Sequence, residues 1–337
     1  MTRIAINGFG RIGRIFFRQA FEYPDIEIVA VNDLGSPENL AYLLKYDTVY
    51  GPFEKKVDYR SPTSIIVDGK EINILNEAEP ANLPWADLNI DIVVESTGVF
   101  ESADKAKAHL DAGAKRVVIT APAKDDETPT ATPNVGQGFL KNSKITSNAS
   151  CTTNAATPVM AVMAADPGIQ KAVLNTVHGY TASQALVDGP DKKNDFRRAR
   201  AAAQNIVPSS TGAALAATKA IPELAGKFDG ISLRVPVISG SIMDFTFVAG
   251  RQTTAEEINE IFKKAASQKE WQGILAVTQE PLVSSDILKN PHGSIIDLTM
   301  TKVIDGDLVK VLAWYDNEWG YGAMLLKHVL AVSQLLD

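Results

Sequence analysis

Arg3-Ile4-Ala5-Ile6-Asn7-Gly8-Phe9-Gly10-Arg11-Ile12-Gly13 runs from a short apolar strand through a glycine turn into a helical pattern that continues to Phe21. A second apolar run, Ile26 to Val31, ends in Asn32-Asp33, about twenty residues past Gly13. Three spaced glycines alone say little. Placed after a strand, at the opening of a helix, and followed at this distance by an acid closing a second strand, they form a dinucleotide-binding fingerprint. The glycines let backbone approach a pyrophosphate, the helix N-terminus favours its charge, and Asp33 can accept hydrogen bonds from a ribose diol. Gly8, Gly10, Arg11, Ile12, Gly13 and Asp33 are therefore the expected cofactor loop; outside this setting they would be a tight turn and a surface aspartate. A carboxylate at 33 also disfavours a 2′-phosphate beside it, so NAD is expected over NADP.

Further βα units follow. Ile90 to Glu95 reads as a strand, Ser96-Thr97-Gly98 as its exit, Ser102 to Ala112 as a helix and Arg116 to Thr120 as the next strand. Alternation of this kind implies a parallel, doubly wound sheet whose ligand crevice lies at the strand carboxyl ends, where Thr97, Gly98 and Thr120 fall. Between them Tyr46 to Pro84 is irregular, with Thr63 to Val67 and Ile72 to Leu75 suggesting a small inserted hairpin. Past residue 150 the rhythm changes. Lys171 to His178, Gly230 to Val237, Ser241 to Ala249, Ile295 to Ile304 and Leu308 to Trp314 are long strand runs rich in Val, Ile, Thr and Phe, which indicates an antiparallel or mixed sheet. Helices are expected at Thr211 to Ala220, at Ala255 to Ser267 behind a Thr254/Glu257 capping box, and at Tyr321 to Leu336. The fold class is thus α/β: a Rossmann-type doubly wound parallel sheet plus an α+β catalytic domain. The expected boundaries are 1–150, 151–317 with a basic loop at 181–200, and a terminal helix at 318–337 packing back on the first domain.

The net charge of −7 argues against nucleic acid as a partner. No run approaches the ~18 apolar residues of a membrane span, and the N-terminus lacks the blocks of a signal peptide, so no membrane association and a cytoplasmic location are expected. One cysteine among 337 residues excludes an intrachain disulfide and fits a reducing compartment.

That cysteine lies in Ser147-Asn148-Ala149-Ser150-Cys151-Thr152-Thr153-Asn154, at the start of a helix expected to run toward Ala165, with Pro158 taken as near enough to its start to be tolerated. A helix N-terminus lowers a thiol pKa, and only the thiolate is a useful nucleophile. A lone cysteine can equally be packed as a small hydrophobe, but the surrounding hydroxyls and amides make a polar setting. Of four histidines, His178 ends a strand and precedes the loop Gly179-Tyr180-Thr181, which makes it the candidate base; His109 and His328 sit in helices. No His and Cys show metal-ligand spacing, so no metal is expected.

In these residues the chain resembles the phosphorylating glyceraldehyde-3-phosphate dehydrogenases along essentially its whole length. The resemblance rests on Asn7 to Arg14, Val31-Asn32-Asp33, Ser96-Thr97-Gly98, Ala149 to Asn154, His178 to Thr181, Arg197 to Arg200, Pro208 to Ala213, Arg234-Val235-Pro236 and Trp314 to Tyr321. It implies that Cys151 attacks an aldehyde, His178 acts as base and steadies the thiolate, hydride passes to NAD, and inorganic phosphate cleaves the resulting thioester. It further places Thr181 and Arg234 at the phosphate of glyceraldehyde 3-phosphate, Ser150, Thr211 and Gly212 at the attacking phosphate with Thr152 and Arg198 near, and Asn317 at the nicotinamide amide. It implies a homotetramer. An erythrose-4-phosphate dehydrogenase, or a non-catalytic binding protein on the same fold, is the alternative. The chain departs from the family pattern at Asn134-Val135-Gly136, at Val237-Ile238-Ser239-Gly240-Ser241 and at Tyr321-Gly322-Ala323-Met324.

Overall fold

A computed structural model of the chain describes residues 1–191 and 194–336. Lys192 and Lys193 of the expected loop 181–200, and Asp337 at the end of the expected terminal segment, lie outside the described residues. The chain divides into two compact units, one built from 1–131, 136–149 and Leu325 onward, the other from 132–135 and 150–324. No helix among the described residues is long and apolar enough to cross a membrane.

The first unit follows the order β1 (Thr2–Asn7), α1 (Arg11–Ala20), β2 (Ile26–Asn32), α2 (Pro37–Lys45), β3 (Val57–Ser61), β4 (Ser64–Val67), β5 (Lys70–Leu75), β6 (Ile92–Glu95), α3 (Ala103–Asp111), β7 (Arg116–Ile119) and β8 (Ile145–Ser147). Its eight-stranded sheet has the order β3-β4-β5-β2-β1-β6-β7-β8. From β5 to β8 every pairing is parallel, and β4 runs antiparallel to both its neighbours. A parallel strand covered on both faces carries an unbroken apolar run, and Ile4, Ala5 and Ile6 are fully buried. Because β2 and β6 flank β1, the strand order reverses there, which opens a crevice at the carboxyl ends of these three strands.

Two features of this unit go beyond the sequence reading. The hairpin expected within 63–75 forms as antiparallel β4 and β5, and β5 also pairs in parallel with β2, so the hairpin extends the main sheet. Helix α2 went unforeseen, although Ser36 caps it, accepting from Asn39 N, and Pro37 occupies the first turn where its missing N–H costs nothing.

The second unit contains α4 (Cys151–Ala165), β9 (Ile169–Gly179), β10 (Val207–Ser210), α5 (Ala213–Ala220), β11 (Phe228–Val235), β12 (Ser241–Ala249), α6 (Ala255–Ser267), β13 (Leu275–Thr278), β14 (Ser294–Ile304), β15 (Leu308–Tyr315) and α7 (Trp319–Ser333), whose later turns belong to the first unit. Its sheet, β10-β11-β9-β12-β15-β14-β13, is mixed: β11 pairs with β9 and β13 with β14 in parallel, and the other pairings are antiparallel. Both strands absent from the sequence reading, β10 and β13, are edges, where pairing on one side relaxes the sequence requirement enough for Pro208 to be accommodated.

Strand β12 alternates strictly, turning Met243, Phe245 and Phe247 into a core shared with Val159, Met160 and Met163 of α4 and Phe262 of α6. Pro158 proves not to lie at the helix start. It is well inside α4, where its ring nitrogen cannot donate to the Asn154 carbonyl, and Gly293 approaches so near that a Cβ there would be 3.1 Å from that oxygen. Only half of the capping box at α6 forms: Thr254 accepts from Glu257 N, while the Glu257 carboxylate is taken by Thr253 and Arg251.

Phe245 is fully buried between Phe228 and Phe247, with ring centroids 5.8 and 5.4 Å away. Phe245→Ala should lower stability by about 3–5 kcal/mol, read from urea unfolding. A loss under about 1 kcal/mol would show that this core is not organised around the ring.

Candidate active site

The cysteine is delivered by a sharp change of backbone direction. Strand β8 ends at Ser147, Ala149 takes a left-handed conformation at φ 58°, and Ser150 is the N-cap of α4, its hydroxyl accepting from Thr153 N at 3.1 Å. Cys151 is consequently the first helical residue, partly exposed, with its side chain at the positive end of the helix dipole.

His178 meets it from β9. Its Nε2 lies 3.3 Å from Cys151 Sγ, and its Nδ1 is 2.6 Å from the Gly179 carbonyl. An Nδ1–H donating to that carbonyl leaves the Nε2 lone pair facing the thiol, which is the tautomer a base needs. Parallel pairing of β11 with β9 sets Arg234 directly opposite His178. Arg234 Nη1 donates to the same carbonyl at 3.2 Å and lies 2.9 Å from Nδ1 because both groups converge on one oxygen. The Arg234 Nε is buried without a hydrogen-bond partner, a feature suited to an anion.

Burial acts against either charge alone. It pushes the Cys151 thiol up, with Arg234 pulling the other way, so the helix N-terminus does not by itself produce the lowered thiol pKa expected from sequence. Burial, reinforced by Arg234, holds the imidazole down to about 3. A proton passed from Sγ to Nε2 creates both charges together, 3.3 Å apart, and their attraction offsets the burial cost that each would bear alone.

Thr152 next to the cysteine bonds Tyr315 Oη at 2.9 Å, and Tyr315 bonds Thr176 at 2.7 Å, a buried hydroxyl chain tying α4 to β15 and β9. Arg198 pairs with Asp195 at 3.2 Å, and its charge reaches His178 and Arg234. The Thr181 hydroxyl meets Ser183, while Thr211 and Gly212 precede α5, Thr211 accepting from Ala213 N. Thr181, Thr211 and Gly212 thus stand on loops, and Arg198 Nη2 donates to the carbonyl of Ser210 beside Thr211. Asn317 is buried, its Oδ1 accepting from Gly240 N at 3.1 Å and from Ser241 Oγ at 2.8 Å. Ser241 Oγ in turn accepts from Gly179 N at 3.2 Å, and Ser239 donates to Asp316. Sequence reasoning missed this role of Ser239 and Ser241. The departure from the family pattern at 237–241 was the available signal.

In the first unit a crevice of ≈ 440 Å³ is lined by Asn7, Gly8, Gly10, Asn32, Asp33 and Thr97 among others. Gly13 packs so tightly that a Cβ would fall 2.2 Å from the Gly8 carbonyl oxygen, whereas at Gly10 a Cβ would enter open space. Backbone can therefore be approached closely at Gly10, beside the start of α1, which no side chain caps. Asp33 is held by Phe9 N at 2.7 Å and Gly35 N at 2.8 Å, each bond engaging a different carboxylate oxygen. These features fit a dinucleotide. The Arg11 side chain is engaged by Asp47 and Tyr50, and Arg11, Ile12 and Gly13 run on into α1; Gly98 and Thr120 stand on neighbouring strand-end turns and do not line the crevice. No cluster of His, Cys, Asp and Glu suited to a metal occurs among the described residues.

Comparison with known proteins gives the same picture from a separate direction. Residues 2–103 match the family model described as glyceraldehyde 3-phosphate dehydrogenase, NAD binding domain, and residues 150–317 match the C-terminal domain of the same family. Glyceraldehyde-3-phosphate dehydrogenase 2 of Streptomyces avermitilis is 48% identical over 337 residues, covering 99% of each chain. The glyceraldehyde-3-phosphate dehydrogenase of Borreliella burgdorferi is 49% identical over 331 residues, 96% of this chain and 97% of its own. Bacillus subtilis glyceraldehyde-3-phosphate dehydrogenase 2 is 47% identical over 334 residues, 98% and 97% of the two chains. With both family domains matched and relatives near half identical from end to end, the chain belongs to the glyceraldehyde-3-phosphate dehydrogenase family, NAD-dependent oxidoreductases.

Proposed function

We propose that the protein oxidises glyceraldehyde 3-phosphate to 1,3-bisphosphoglycerate, reducing NAD, through a thioester on Cys151. The observation that carries this reading is the 3.3 Å contact between Cys151 Sγ and His178 Nε2, with Arg234 beside the ring. His178 Nε2 takes the thiol proton as Sγ bonds to the aldehyde carbon. The alkoxide formed is steadied by the Cys151 N–H and by the protonated ring, which returns the proton to give a hemithioacetal. His178 next accepts the hydroxyl proton while the carbon loses hydride, leaving a thioester. NAD, when bound, accepts that hydride. A phosphate oxygen then attacks the thioester carbonyl, the C–S bond breaks, and the thiolate returns with the acyl phosphate released. Covalent catalysis keeps the energy of oxidation in the thioester for that last step.

Arg234, with its buried unpartnered Nε, and Thr181 are assigned to the substrate phosphate; Ser150, Thr152, Arg198, Thr211 and Gly212 are assigned to inorganic phosphate. In this reading residues 1–150 bind NAD through Gly8 to Gly13, Asp33, Thr97, Gly98 and Thr120, and 151–317 carry the chemistry, with Asn317 serving the nicotinamide amide. The terminal helix completes the NAD-binding part. A cytoplasmic homotetramer is the expected assembly, and Val173 and Ile231, both more than half exposed on the second sheet, support association.

Cys151→Ser should abolish phosphate-dependent NADH formation while leaving NAD binding intact, because an alcohol is far less ionised than a thiol. Substantial turnover in the variant would remove the nucleophile.

For His178→Asn the sign follows from burial: without the imidazole to take its proton, the thiol stays protonated until pH exceeds a value above the ordinary 9.0. Iodoacetamide labelling between pH 6 and 8 should fall at least about tenfold and recover only in strong alkali, and turnover should fall by about 10²–10⁴. A labelling profile identical to wild type would exclude His178 as the base.

Asp33→Ala should raise NADP efficiency relative to NAD in steady-state kinetics. No relative gain would show that this carboxylate does not hold the ribose.

A further inference from the structure

Behind the crevice of the first unit lies a buried polar cluster that the chemistry above leaves unused. Glu95, at the end of β6, is 2% exposed. One of its oxygens accepts from Asn7 Nδ2 at 2.6 Å and from His109 Nε2 at 3.0 Å; the other accepts from Thr97 N at 2.8 Å and from the Thr97 hydroxyl. The imidazole has no choice of tautomer. Trp85 Nε1, a donor only, points at His109 Nδ1 from 3.0 Å, so the ring proton sits on Nε2 and is given to Glu95. Asn7 Nδ2 and His109 Nε2 lie 3.4 Å apart because both converge on one carboxylate oxygen. Asn7 passes the connection on by accepting from Asn32 Nδ2 at 2.7 Å. A buried carboxylate is costly unless its lone pairs are matched, and here donors from the end of β1, the turn after β6 and α3 match them.

The turn that Glu95 grips is the one against which the glycine loop rests: a Cβ at Gly8 would lie 2.7 Å from Thr97 N and from the Ser96 carbonyl carbon. Asn7, Gly8 and Thr97 line the crevice, while Trp85 and His109 do not. We infer that Glu95 is a positioning residue for the dinucleotide, locked from behind by His109 and Trp85, and that its hold on Asn7 and Thr97 fixes the separation of the glycine loop from the 96–97 turn. Dinucleotide affinity therefore depends on His109, a residue outside the crevice. This rests on the crevice being the NAD site.

The test uses NAD calorimetry on wild type, His109→Leu and His109→Gln, with KM for NAD, kcat at saturating NAD, and Cys151 alkylation in cofactor-free protein. A glutamine amide can offer an N–H to Glu95 and an oxygen to Trp85 as the imidazole does; leucine offers neither. Losing one hydrogen bond to a buried charge should raise Kd and KM for NAD at least about tenfold in the leucine variant. In the glutamine variant both should return to within about threefold of wild type, with kcat and alkylation nearly constant throughout. Unchanged NAD affinity in folded His109→Leu, equal impairment of both variants, or a parallel fall in alkylation would overturn the proposal. If the leucine variant does not fold, Trp85→Phe replaces it: the ring loses the donor that anchors it at Nδ1 and with it the fixed aim of Nε2–H at Glu95, and NAD affinity must drop at least about threefold. Unchanged affinity there also overturns the proposal. Failure of wild type itself to bind NAD would instead remove the crevice assignment beneath it.

Discussion

Two groups 3.3 Å apart, the partly exposed Cys151 thiol and the buried His178 imidazole, each disfavoured in its charged form by desolvation, constrain the second unit. Such a pair works only if its separation is held, because the attraction that permits joint charging falls away with distance while the desolvation penalty does not. The surrounding structure meets that condition from several sides. Ser150 fixes the start of α4 below the sulfur, and the β9–β11 register fixes Arg234 beside the imidazole. The Gly179–Ser241–Asn317 chain pins the end of the strand that carries the histidine. Thr152, Tyr315 and Thr176 tie the helix to the sheet behind it.

The first unit solves a different problem, which is to keep a crevice open at the end of β1. Its sheet reverses order at β1, and the loop leaving that strand is held by polar groups at its own level as well as by the buried Phe9 ring against Phe17. Asp33 and Glu95 act at opposite walls, one accepting from Phe9 N and the other from Thr97 N and Asn7. Each carboxylate is met by backbone N–H donors, which offset its charge beside the crevice.

Much of this was legible in the sequence. The glycine loop and Asp33 could be read because their spacing is imposed by one local βαβ unit, and the long strands because their alternation is strict, as in β12. Edge strands β10 and β13 escaped, since half of their pairing requirement is absent. Pro158 was misjudged because propensity places prolines at helix starts, while the packing of α4 in the core sustains a helix through one. The strand end before Gly179-Tyr180-Thr181 singled out His178 as the candidate base, but its distance from Cys151 could not be read from the local sequence. Arg234 beside the ring could be placed only by family resemblance, because strand register across 56 residues leaves no local mark. The thiol's electrostatics were read too simply, since a helix terminus is visible in sequence and desolvation is not.

Ala149 stands where glycine would be at ease, fully buried at φ 58°. An L-residue in that region bears roughly 1–2 kcal/mol of steric strain. In exchange the unfolded chain has fewer conformers to lose there than a glycine would have. The residue two before the nucleophile is thus stiff, and the thiol cannot wander by pivoting about that bond. Ordering the sulfur is an expense of folding, met once per molecule, instead of a toll on every turnover.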